Sequence, residues 1–580
     1  MNEDSGSAAL QFSSTIIGVL LTGLFVSVLA VLLPKASKIF FAKIEHSLSR
    51  LAERKVLAPR VLFFAVLGIR LLLLPLLPVP VPGIHDEFSY LLMADTLAHG
   101  RLANPPHPMW MSFETFHVNW FPTYSSMYPP AQGFALAFGQ LLGHPWLGVL
   151  LSDAAMCAAI LWMLQAWMPA RWALLGAALV ALKFSFSSYW MNSYWGGAVA
   201  ATGGALMLGA LPRILRFATT PSIIRASTSA ITKNALLLGL GAAILANSRP
   251  YEGLLLFLVA AGYFLYTVVQ TRPSHVNPRA LVRRVFLPLS VTLLLTAAFM
   301  GYYDWRLTGN PLLLPHTLNV RTYHTAPMFI WQHAEPPKQY NNPQFEDFYN
   351  DFEREEYHTT FSDFKSISWL KITRYTTTYF WMGLLLILPW LPFAFRDRKM
   401  RLLSLSFFIC VPGLFAVVWS NSHYAAPLTC VFFALIVQAI RHLRTVIVAG
   451  RPLGVALSWA VVALLVFDVG GAVKNRSCDP IWWTCQGDVS RAAIQKKLES
   501  TAGKHLIIVR YGDDHNIHDE WVYNGAEIDA AKVLWARELT AQQNQKLFEF
   551  FKDRQIWLVT PDTDNTFLEP YSPPGNSRAQ

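Results

Sequence analysis

Three adjacent residues, His85, Asp86 and Glu87, are the side chains of this 580-residue chain best suited to chemistry. They follow an apolar run, 61–82, and begin a long polar stretch. Two carboxylates at a membrane surface are partly desolvated, and there a carboxylate can hold a metal ion or accept a proton. A simpler interpretation is that both acids cap the helix predicted by FSYLLMADTLAHG, since acids favour helix N-termini. A capping carboxylate can also take part in catalysis, so both interpretations stay open.

The elements that must position these residues are membrane helices. The chain is 53% hydrophobic, 13% aromatic and only 14% charged, whereas a soluble protein carries about a quarter charged residues. Twelve apolar runs are close to the roughly 20 residues that cross a bilayer. These runs are 11–33, 61–82, 145–167, 171–188, 195–212, 234–248, 252–270, 285–303, 376–395, 402–419, 425–443 and 454–472. The shorter run 130–143 predicts an interfacial or re-entrant helix.

The distribution of Lys and Arg predicts the orientation of these helices. The net charge is +11, but the basic residues cluster in segments between spans, so nucleic acid is not an expected partner. Segment 35–60 holds seven of them, whereas 83–129 holds one. Segment 304–374 holds seven, which nine acids offset. The positive-inside rule therefore places both termini and the loops 83–144 and 304–374 outside.

The chain divides into three parts. Residues 1–60 predict a span and an amphipathic cytoplasmic segment, and 61–472 form the membrane region with its two outer loops. Residues 473–580 have the composition of a soluble domain, in which HLIIVRYG, AAKVLWARE and QIWLVTP predict strands. TAQQNQKLFEFFKD predicts a helix that Thr540 caps. The predicted fold class is an all-α polytopic membrane protein with about 12 transmembrane helices and a small extracytoplasmic C-terminal α/β domain.

The five cysteines fall into two groups. Cys157, Cys410 and Cys430 lie inside predicted spans and are expected to be packing residues. Cys478 and Cys485 lie just beyond the last span, where an outer location predicts a small disulfide loop. Two free thiols are the alternative for that pair.

Four segments carry motifs with a family resemblance. They are the acidic dyad with a helix of the form Y-x-x-x-A-x-x-L-x-x-G (85–100), the Y-P-P segment (128–143), and the stretches 305–315 and 423–427. In this order they resemble the GT-C superfamily of membrane glycosyltransferases. Its members include protein O-mannosyltransferases and lipid A aminoarabinose transferases, which move a sugar from a polyprenyl phosphate to an acceptor outside the membrane. The layout of most of 61–443 is similar too.

This resemblance implies a multi-pass glycosyltransferase of the cytoplasmic (inner) membrane with its active site on the extracytoplasmic side. The donor would be a polyprenyl-phosphate-linked hexose or pentose, and the acceptor a lipid, a glycan or a protein of the cell envelope. Membrane lipids are the other expected partners. Asp86 would be the base that deprotonates the acceptor hydroxyl or a metal ligand, with Glu87 in support. If a divalent metal is needed, Mg or Mn is the expected ion.

Cations near the outer surface are needed to bind the donor phosphate. Relatives often have a basic residue just before the Pro-Pro pair, where this chain has Met127-Tyr128, so Arg249, Lys183 and His423 are the candidates. Arg249 is preferred because Arg binds phosphate oxygens bidentately, although it could be an interfacial residue that snorkels. Relatives commonly have an Arg-Tyr pair where this chain has His423-Tyr424, which adds Tyr424 to the phosphate-binding candidates.

Further residues are expected to contact the substrates, namely His85, Tyr128, Asn192, Trp195, Asp304 and Arg306. Asn192 and Trp195 belong to the turn SSYWMNSYWGG, whose rings could stack on a sugar or form part of an interfacial aromatic belt. Asp304 and Arg306 could contact the donor or the acceptor, or form a local salt bridge.

Other charged residues predict structural roles. Arg70 and Asp153 on neighbouring spans predict an ion pair, because isolated charges in a bilayer are costly. His515, His518 and Asp519 have metal-binding chemistry, but their spacing matches no standard site.

Two other function classes compete with the glycosyltransferase. A transporter or lipid-sugar flippase usually has paired inverted halves with broken helices, and the sequence has no such symmetry. A receptor or scaffold would explain 473–580 but not the acidic dyad.

The predicted orientation can be tested with single cysteines and an impermeant thiol reagent in intact cells. Cysteines placed in 83–144, 304–374 and 473–580 should react from outside, whereas those in 35–60 should react only after permeabilisation. Labelling of 35–60 from outside would reverse the orientation and move the acidic dyad to the inner face.

Overall fold

The computed structural model describes residues 34–219, 228–271, 278–356, 361–419, 421–478, 487–563 and 568–571. The predicted span 11–33 and Cys485 lie outside these residues. The helices are α1 (Pro34–Glu53), α2 (Leu57–Leu72), α3 (His85–Ala98), α4 (Trp110–Phe113), α5 (Pro130–Leu141), α6 (Pro145–Trp167), α7 (Ala170–Phe184), α8 (Ala198–Thr219), α9 (Thr228–Ala246), α10 (Pro250–Thr271), α11 (Pro278–Leu281), α12 (Leu287–Thr308), α13 (Pro315–Tyr323), α14 (Pro343–Glu346), α15 (Glu353–Glu356), α16 (Phe361–Tyr379), α17 (Leu391–Arg396), α18 (Arg401–Leu414), α19 (Thr429–Leu443), α20 (Leu453–Asn475), α21 (Val489–Ser500) and α22 (Ala541–Phe550).

Short irregular helices and six strands complete the secondary structure of the described chain. The π-helical turns are Val282–Phe286 and Asp347–Phe352, and the 3-10 turns are Met382–Trp390, Arg398–Met400 and Ser422–Leu428. The strands are β1 (Val118–Asn119), β2 (Ser125–Ser126), β3 (Lys504–Val509), β4 (Val533–Arg537), β5 (Arg554–Val559) and β6 (Leu568–Pro570).

The helices of the described chain are those of a multi-pass membrane protein. Seven are long and apolar enough to cross a bilayer, and an eighth crossing is added if one bent helix pair counts as a span. The seven are Pro145–Trp167, Ala198–Arg216, Ser229–Ala246, Pro250–Gln270, Arg279–Thr308, Ser422–Leu443 and Leu453–Asn475. The count of twelve predicted from the sequence is therefore not reached within the described residues.

The predicted apolar runs that differ most from the observed helices are interrupted by proline or by a buried turn. Helix α2 stops at Leu72, before a segment with prolines at 75, 78, 80 and 82, which lack the N–H that a helix needs. Run 376–395 is broken between Tyr379 and Met382, where its two halves are bent by 104°. There the Trp381 indole donates to the carbonyl of Val461 at 2.9 Å, which holds the corner. Hydrophobicity alone does not show such corners.

Helix α7 ends at Phe184, and a buried turn follows it. The amide of Asn192 donates to the carbonyls of Phe186 at 2.7 Å and Ser188 at 2.9 Å. The turn can be buried because its polar backbone groups find these partners. Its aromatic residues are thus packed inside the protein and are not a lipid-facing belt.

Arg70 and Asp153 interact electrostatically, but their direct contacts are with other groups. The Arg70 guanidinium donates to the side chain of Asn192 at 2.9 Å and to the carbonyl of Leu77 at 2.8 Å. Asp153 accepts a hydrogen bond from Ser185. Carbonyl and amide oxygens can satisfy a buried guanidinium as well as a carboxylate can, and a sequence cannot rank these partners.

The C-terminal module, residues 487–571, contains a four-stranded sheet in the order β4-β3-β5-β6. Strand β3 runs parallel to β4 and β5, and β6 is antiparallel to β5. The three predicted strands and the helix are confirmed, and Thr540 caps that helix through a capping box with Gln543. Leu506 and Ile507 on β3 face opposite sides of the sheet, and both sides are covered.

The C-terminal module shares a hydrophobic core with the first loop, 83–144. Leu92 and Phe113 of that loop pack in one cluster with Leu506 and Ile508 of β3. Tyr124 of the loop donates to the carbonyl of Asn524 at 2.9 Å. The boundary predicted at residue 473 therefore separates two parts of the chain that pack as one body.

Candidate functional site

A cavity of 1320 Å³ lies between the C-terminal module and the ends of the membrane helices. Its membrane side is formed by the turn between α9 and α10 and by residues of α12, α13 and α16. The start of α3 and the segment before α5 form one wall. The module contributes 487–490 and residues within 515–521 and 561–562. Residues from both outer loops, from the turn that carries Arg249 and from the C-terminal module thus border one space.

Asp86 lies in the first turn of α3 and its side chain lines this cavity. The Tyr128 hydroxyl donates to Oδ1 of Asp86. Oδ2 lies 3.1 Å from Nδ1 of His85 and 3.9 Å from Nε2 of His117. A carboxylate, two imidazoles and a phenol therefore meet here, and of these four groups only His117 was not predicted from the sequence.

The backbone at His117 adopts an unusual conformation. Its φ is 60°, in the left-handed region that residues with a side chain rarely occupy. The carbonyl of His117 accepts hydrogen bonds from the Ser89 hydroxyl at 2.7 Å and from the N–H of Met127 at 3.0 Å. Strained residues of this kind cluster at functional sites, because the surroundings must hold them in place. The strain turns the His117 ring toward Asp86.

The charge state of this cluster follows from its surroundings. Burial raises the pKa of Asp86, but His117, His85 and the Tyr128 hydrogen bond together outweigh burial, so the pKa lies below its usual value. Burial, aided by the neighbouring His85, lowers the pKa of His117. At neutral pH the cluster therefore contains an ionised carboxylate and a neutral His117 imidazole.

This cluster fits a divalent cation. Ligand atoms of His85, Asp86 and His117 all lie within 4.8 Å of one another. Neither ring nitrogen of His85, nor Nδ1 of His117, makes a hydrogen bond within the described chain, although all three are buried. Metal ligands must be deprotonated, as a neutral imidazole and an ionised carboxylate are. Two nitrogen donors and one oxygen donor suit Zn better than Mg.

Glu87 takes part in a different set of contacts and does not line the cavity. It is 1% exposed and accepts hydrogen bonds from the N–H groups of Gly83 and Tyr194, each at 3.0 Å. Burial raises the pKa of Glu87 to about 7, although these N–H donors oppose the shift. Glu87 thus joins the start of α3 to the buried turn after α7.

Arg249 lies in the turn between α9 and α10 and lines the membrane side of the cavity. Its guanidinium carbon stands 4.3 Å from the ring centre of Tyr424, in a cation–π contact. Near it, the rings of Tyr90 and Tyr128 stack with centroids 4.4 Å apart, and Trp195 completes an aromatic wall. A cation beside aromatic faces can bind an anionic group and a sugar ring together.

The structure brings together the other predicted residues only in part. His85, Tyr128, Trp195, Asp304 and Tyr424 line the cavity. Lys183, Asn192, Arg306 and His423 do not.

The residues off the cavity wall have other surroundings. Lys183 is buried and its ammonium donates to the carbonyl of Thr377 at 3.4 Å. Nδ1 of His423 lies 3.0 Å from the Tyr189 hydroxyl, with which it can hydrogen-bond. Arg306 is exposed. Lys183 and His423 thus lie behind the cavity-lining residues Thr377 and Trp195, and their phosphate-binding role stays a prediction.

Several polar residues of the cavity were not singled out from the sequence, namely His117, His316, His324, Glu353 and Arg374, whereas His518 was noted only for metal-binding chemistry. Burial lowers the pKa of His316 and of His518 to about 4 each, helped by neighbouring imidazoles. These residues come from three separated segments with no helical or strand periodicity. Only the density of histidine and aromatic residues in the two loops could have indicated them.

The predicted disulfide cannot be followed to both ends. Cys478 is disulfide-bonded and buried beside Leu77, whereas Cys485 lies outside the described residues. The pairing of Cys478 with Cys485 stays a prediction. Cys157, Cys410 and Cys430 are free and buried, as expected for packing residues.

Comparison with known proteins gives structural similarity alone. No family model matches the sequence, and no curated protein does. The chain is similar to the oligosaccharyltransferase of Archaeoglobus fulgidus tethered with an acceptor peptide, with a TM-score of 0.44 and 12% identity. That alignment covers 83% of this chain but only 64% of the oligosaccharyltransferase, so the chain spans less than two thirds of its length.

The chain is also similar to ArnT from Cupriavidus metallidurans. The apo structure aligns with a TM-score of 0.47 and 14% identity, and the structure bound to undecaprenyl phosphate with 0.46 and 15%. Both alignments cover 87% of this chain and 93% of ArnT.

The cation site can be tested without any assay of activity. Protein purified without chelator should carry about one equivalent of Zn, because a site of this kind binds a single ion. Asp86→Asn and His117→Ala should each weaken Zn binding by at least about 10-fold, because each removes a ligand. The control is His99→Ala, an exposed histidine off the cavity. Elemental analysis and Zn titration measure the effect, and equal Zn affinity in all variants would refute the site.

Proposed function

We propose that this chain is an integral membrane glycosyltransferase that moves a sugar from a polyprenyl-phosphate donor to an acceptor on the outer side of the membrane. The observation that carries the proposal is one cavity that joins Asp86 and its two imidazoles to Arg249 and an aromatic wall. Its 1320 Å³ exceeds the roughly 300–1,000 Å³ typical of a single small ligand, which suits two substrates.

The donor end of the cavity is the membrane side. Arg249 supplies the positive charge that an anionic phosphate needs as the glycosidic bond breaks. Met300 and Tyr303 of α12 and Leu370 of α16 also line the cavity there. Because these helices carry exposed apolar residues such as Leu295 and Trp369, a polyprenyl chain can lie along them while its phosphate reaches Arg249.

Asp86 faces the space between the donor and acceptor ends, and its contacts favour the metal-ligand role over that of a base. It accepts from Tyr128 and stands beside His85 and His117, so its lone pairs are directed at groups that keep it ionised. A divalent cation, when bound by these residues, supplies positive charge that stabilises phosphate oxygens. Glu87 supports Asp86 by fixing the backbone at the start of α3.

The transporter alternative predicts a site near the bilayer midplane between two related halves. The cavity instead lies at the ends of the helices and is closed above by the C-terminal module. A site that holds a titratable cluster beneath a soluble module suits a reaction at the membrane surface better than passage through the membrane.

Incubation of the purified protein with a panel of radiolabelled polyprenyl-phosphate sugars tests the proposal. Wild-type protein should release or transfer label from at least one donor, and Asp86→Asn should lower the rate by about 100-fold or more. Glu527→Gln, at a half-exposed ion pair with Arg101 off the cavity, should keep the wild-type rate. If no donor is turned over, the enzyme assignment fails. A normal rate in Asp86→Asn would leave this residue as a helix cap.

The phosphate end gives a second prediction. Arg249→Ala should raise the Kd for the donor by about 10- to 100-fold, since a hydrogen bond to a charged group contributes about 1.5–3 kcal/mol. Arg249→Lys should restore part of the affinity, because a point charge does not replace a bidentate guanidinium. Arg306→Ala, which removes an exposed cation that does not line the cavity, serves as the matched control. Unchanged donor affinity in Arg249→Ala would place the phosphate elsewhere.

A further inference from the structure

A second imidazole–carboxylate pair lies in the cavity wall, apart from the Asp86 cluster. Nδ1 of His324 is hydrogen-bonded to Oε1 of Glu353. The other oxygen of Glu353 accepts the N–H groups of Thr325 at 2.9 Å and Ala326 at 3.1 Å. Both side chains border the cavity. When the carboxylate is ionised and the imidazole is neutral, Nδ1 of His324 donates to Glu353, and the lone pair of the ring lies on Nε2.

Nε2 of His324 has no hydrogen-bond partner within the described chain. The side chain is buried, with only 8% of its surface exposed, and Glu353 is 0% exposed. Leaving a buried nitrogen without a hydrogen-bond partner is energetically unfavourable. A hydroxyl group bound in the cavity would supply the missing partner.

The surroundings hold this pair rigidly. His324 directly follows α13, Glu353 begins α15, and the Thr325 hydroxyl donates to the carbonyl of Tyr349. The ring of Tyr349 packs against His324 with centroids 4.9 Å apart. An imidazole whose orientation and tautomer are both fixed by a carboxylate is the arrangement of a general base.

The pair also lies close to the Asp86 cluster. The rings of His324 and His117 are roughly parallel with centroids 6.3 Å apart, and Nε2 of His117 lies 3.9 Å from Asp86. Another imidazole–carboxylate pair also borders the cavity, in which Nδ1 of His515 lies 2.7 Å from Oδ1 of Asp562. No ring contact joins His515 to the Asp86 cluster in the described chain, so His324 is the better placed of the two.

We propose that His324 is the general base that deprotonates the acceptor hydroxyl, with Glu353 as its positioning residue. This proposal rests on the proposed glycosyltransferase function. The acceptor O–H proton passes to Nε2 of His324 while the acceptor oxygen bonds to the anomeric carbon. The bond from that carbon to the phosphate oxygen breaks, and its electron pair leaves with the polyprenyl phosphate beside Arg249. Water later takes the proton from the imidazolium.

Nucleophiles that differ in their need for a base distinguish this role from a structural one. The full-length protein is given the polyprenyl-phosphate sugar that the wild type turns over, together with ethanol, 2,2,2-trifluoroethanol or sodium azide. Ethanol needs a base to remove its proton, trifluoroethanol needs one less because it is far more acidic, and azide needs none because it has no proton to lose. The products are the ethyl glycoside, the trifluoroethyl glycoside and the glycosyl azide.

His324→Ala should lower ethyl glycoside formation by about 100-fold or more. The loss should be smaller with trifluoroethanol, and glycosyl azide formation should match the wild type. Glu353→Gln should show the same pattern, because a glutamine amide donating to Nδ1 would place the proton on Nε2 and remove the lone pair. His107→Ala, which breaks a pair with Asp529 outside the cavity, is the matched control and should behave as wild type with all three.

Each other outcome would overturn the assignment. An equal loss with ethanol and azide would mean that His324 acts on the donor or on folding, and ethyl glycoside formation at the wild-type rate would mean that it has no role. If His515→Ala shows the ethanol-specific loss instead, the base belongs to the C-terminal module. Wild-type protein that turns over no donor would refute the glycosyltransferase itself, whereas active wild type with normal His324→Ala would refute only the base.

Discussion

A buried carboxylate must be paired, and the pairing of Glu87 fixes the direction in which Asp86 faces. Leaving such a charge unpaired costs several kcal/mol, so the segments that supply its partners are held together. Those partners are backbone N–H groups of Gly83, Ile84 and Tyr194, which belong to the segment before α3 and to the buried turn after α7. The next side chain along a helix is turned by about 100°. Because Glu87 faces the protein, its neighbour Asp86 faces the cavity.

Hydrogen bonds to carboxylates also join the C-terminal module to the membrane part. Glu520 of the module is 2% exposed and accepts the Thr115 hydroxyl of the first loop at 2.8 Å. In the other direction, Asp95 of α3 accepts the N–H of Ala526 at 2.7 Å. Each part therefore supplies a carboxylate that accepts a hydrogen bond from the other, and separating the two parts would break both bonds. This contact keeps residues such as His518 in the cavity wall.

The sequence predicted those parts of the fold and site that depend on local patterns. The strands and capped helix of the module follow from periodicity and from Thr540, and Asp86 and Arg249 were found because charges at membrane surfaces stand out. His117, His324 and Glu353 could not be found in this way, because loops without periodicity carry them. The twelve predicted spans exceed those of the described chain, because hydropathy does not distinguish a helix that crosses the bilayer from apolar residues in a buried corner.

Asp86 and Glu353 differ in how many neighbouring polar atoms lack a hydrogen-bond partner, and this difference indicates different roles. Asp86 stands beside two imidazoles that have nitrogens without hydrogen-bond partners, so a cation can bind one nitrogen of each ring together with the carboxylate. Glu353 is itself saturated by His324 and two backbone N–H groups, so only the far nitrogen of the imidazole remains to be satisfied. No carboxylate oxygen is left at Glu353 to bind a cation, whereas a hydroxyl group needs only one acceptor, which Nε2 of His324 provides. The cluster of His85, Asp86 and His117 is therefore suited to binding a cation, and the pair His324–Glu353 is suited to accepting a proton.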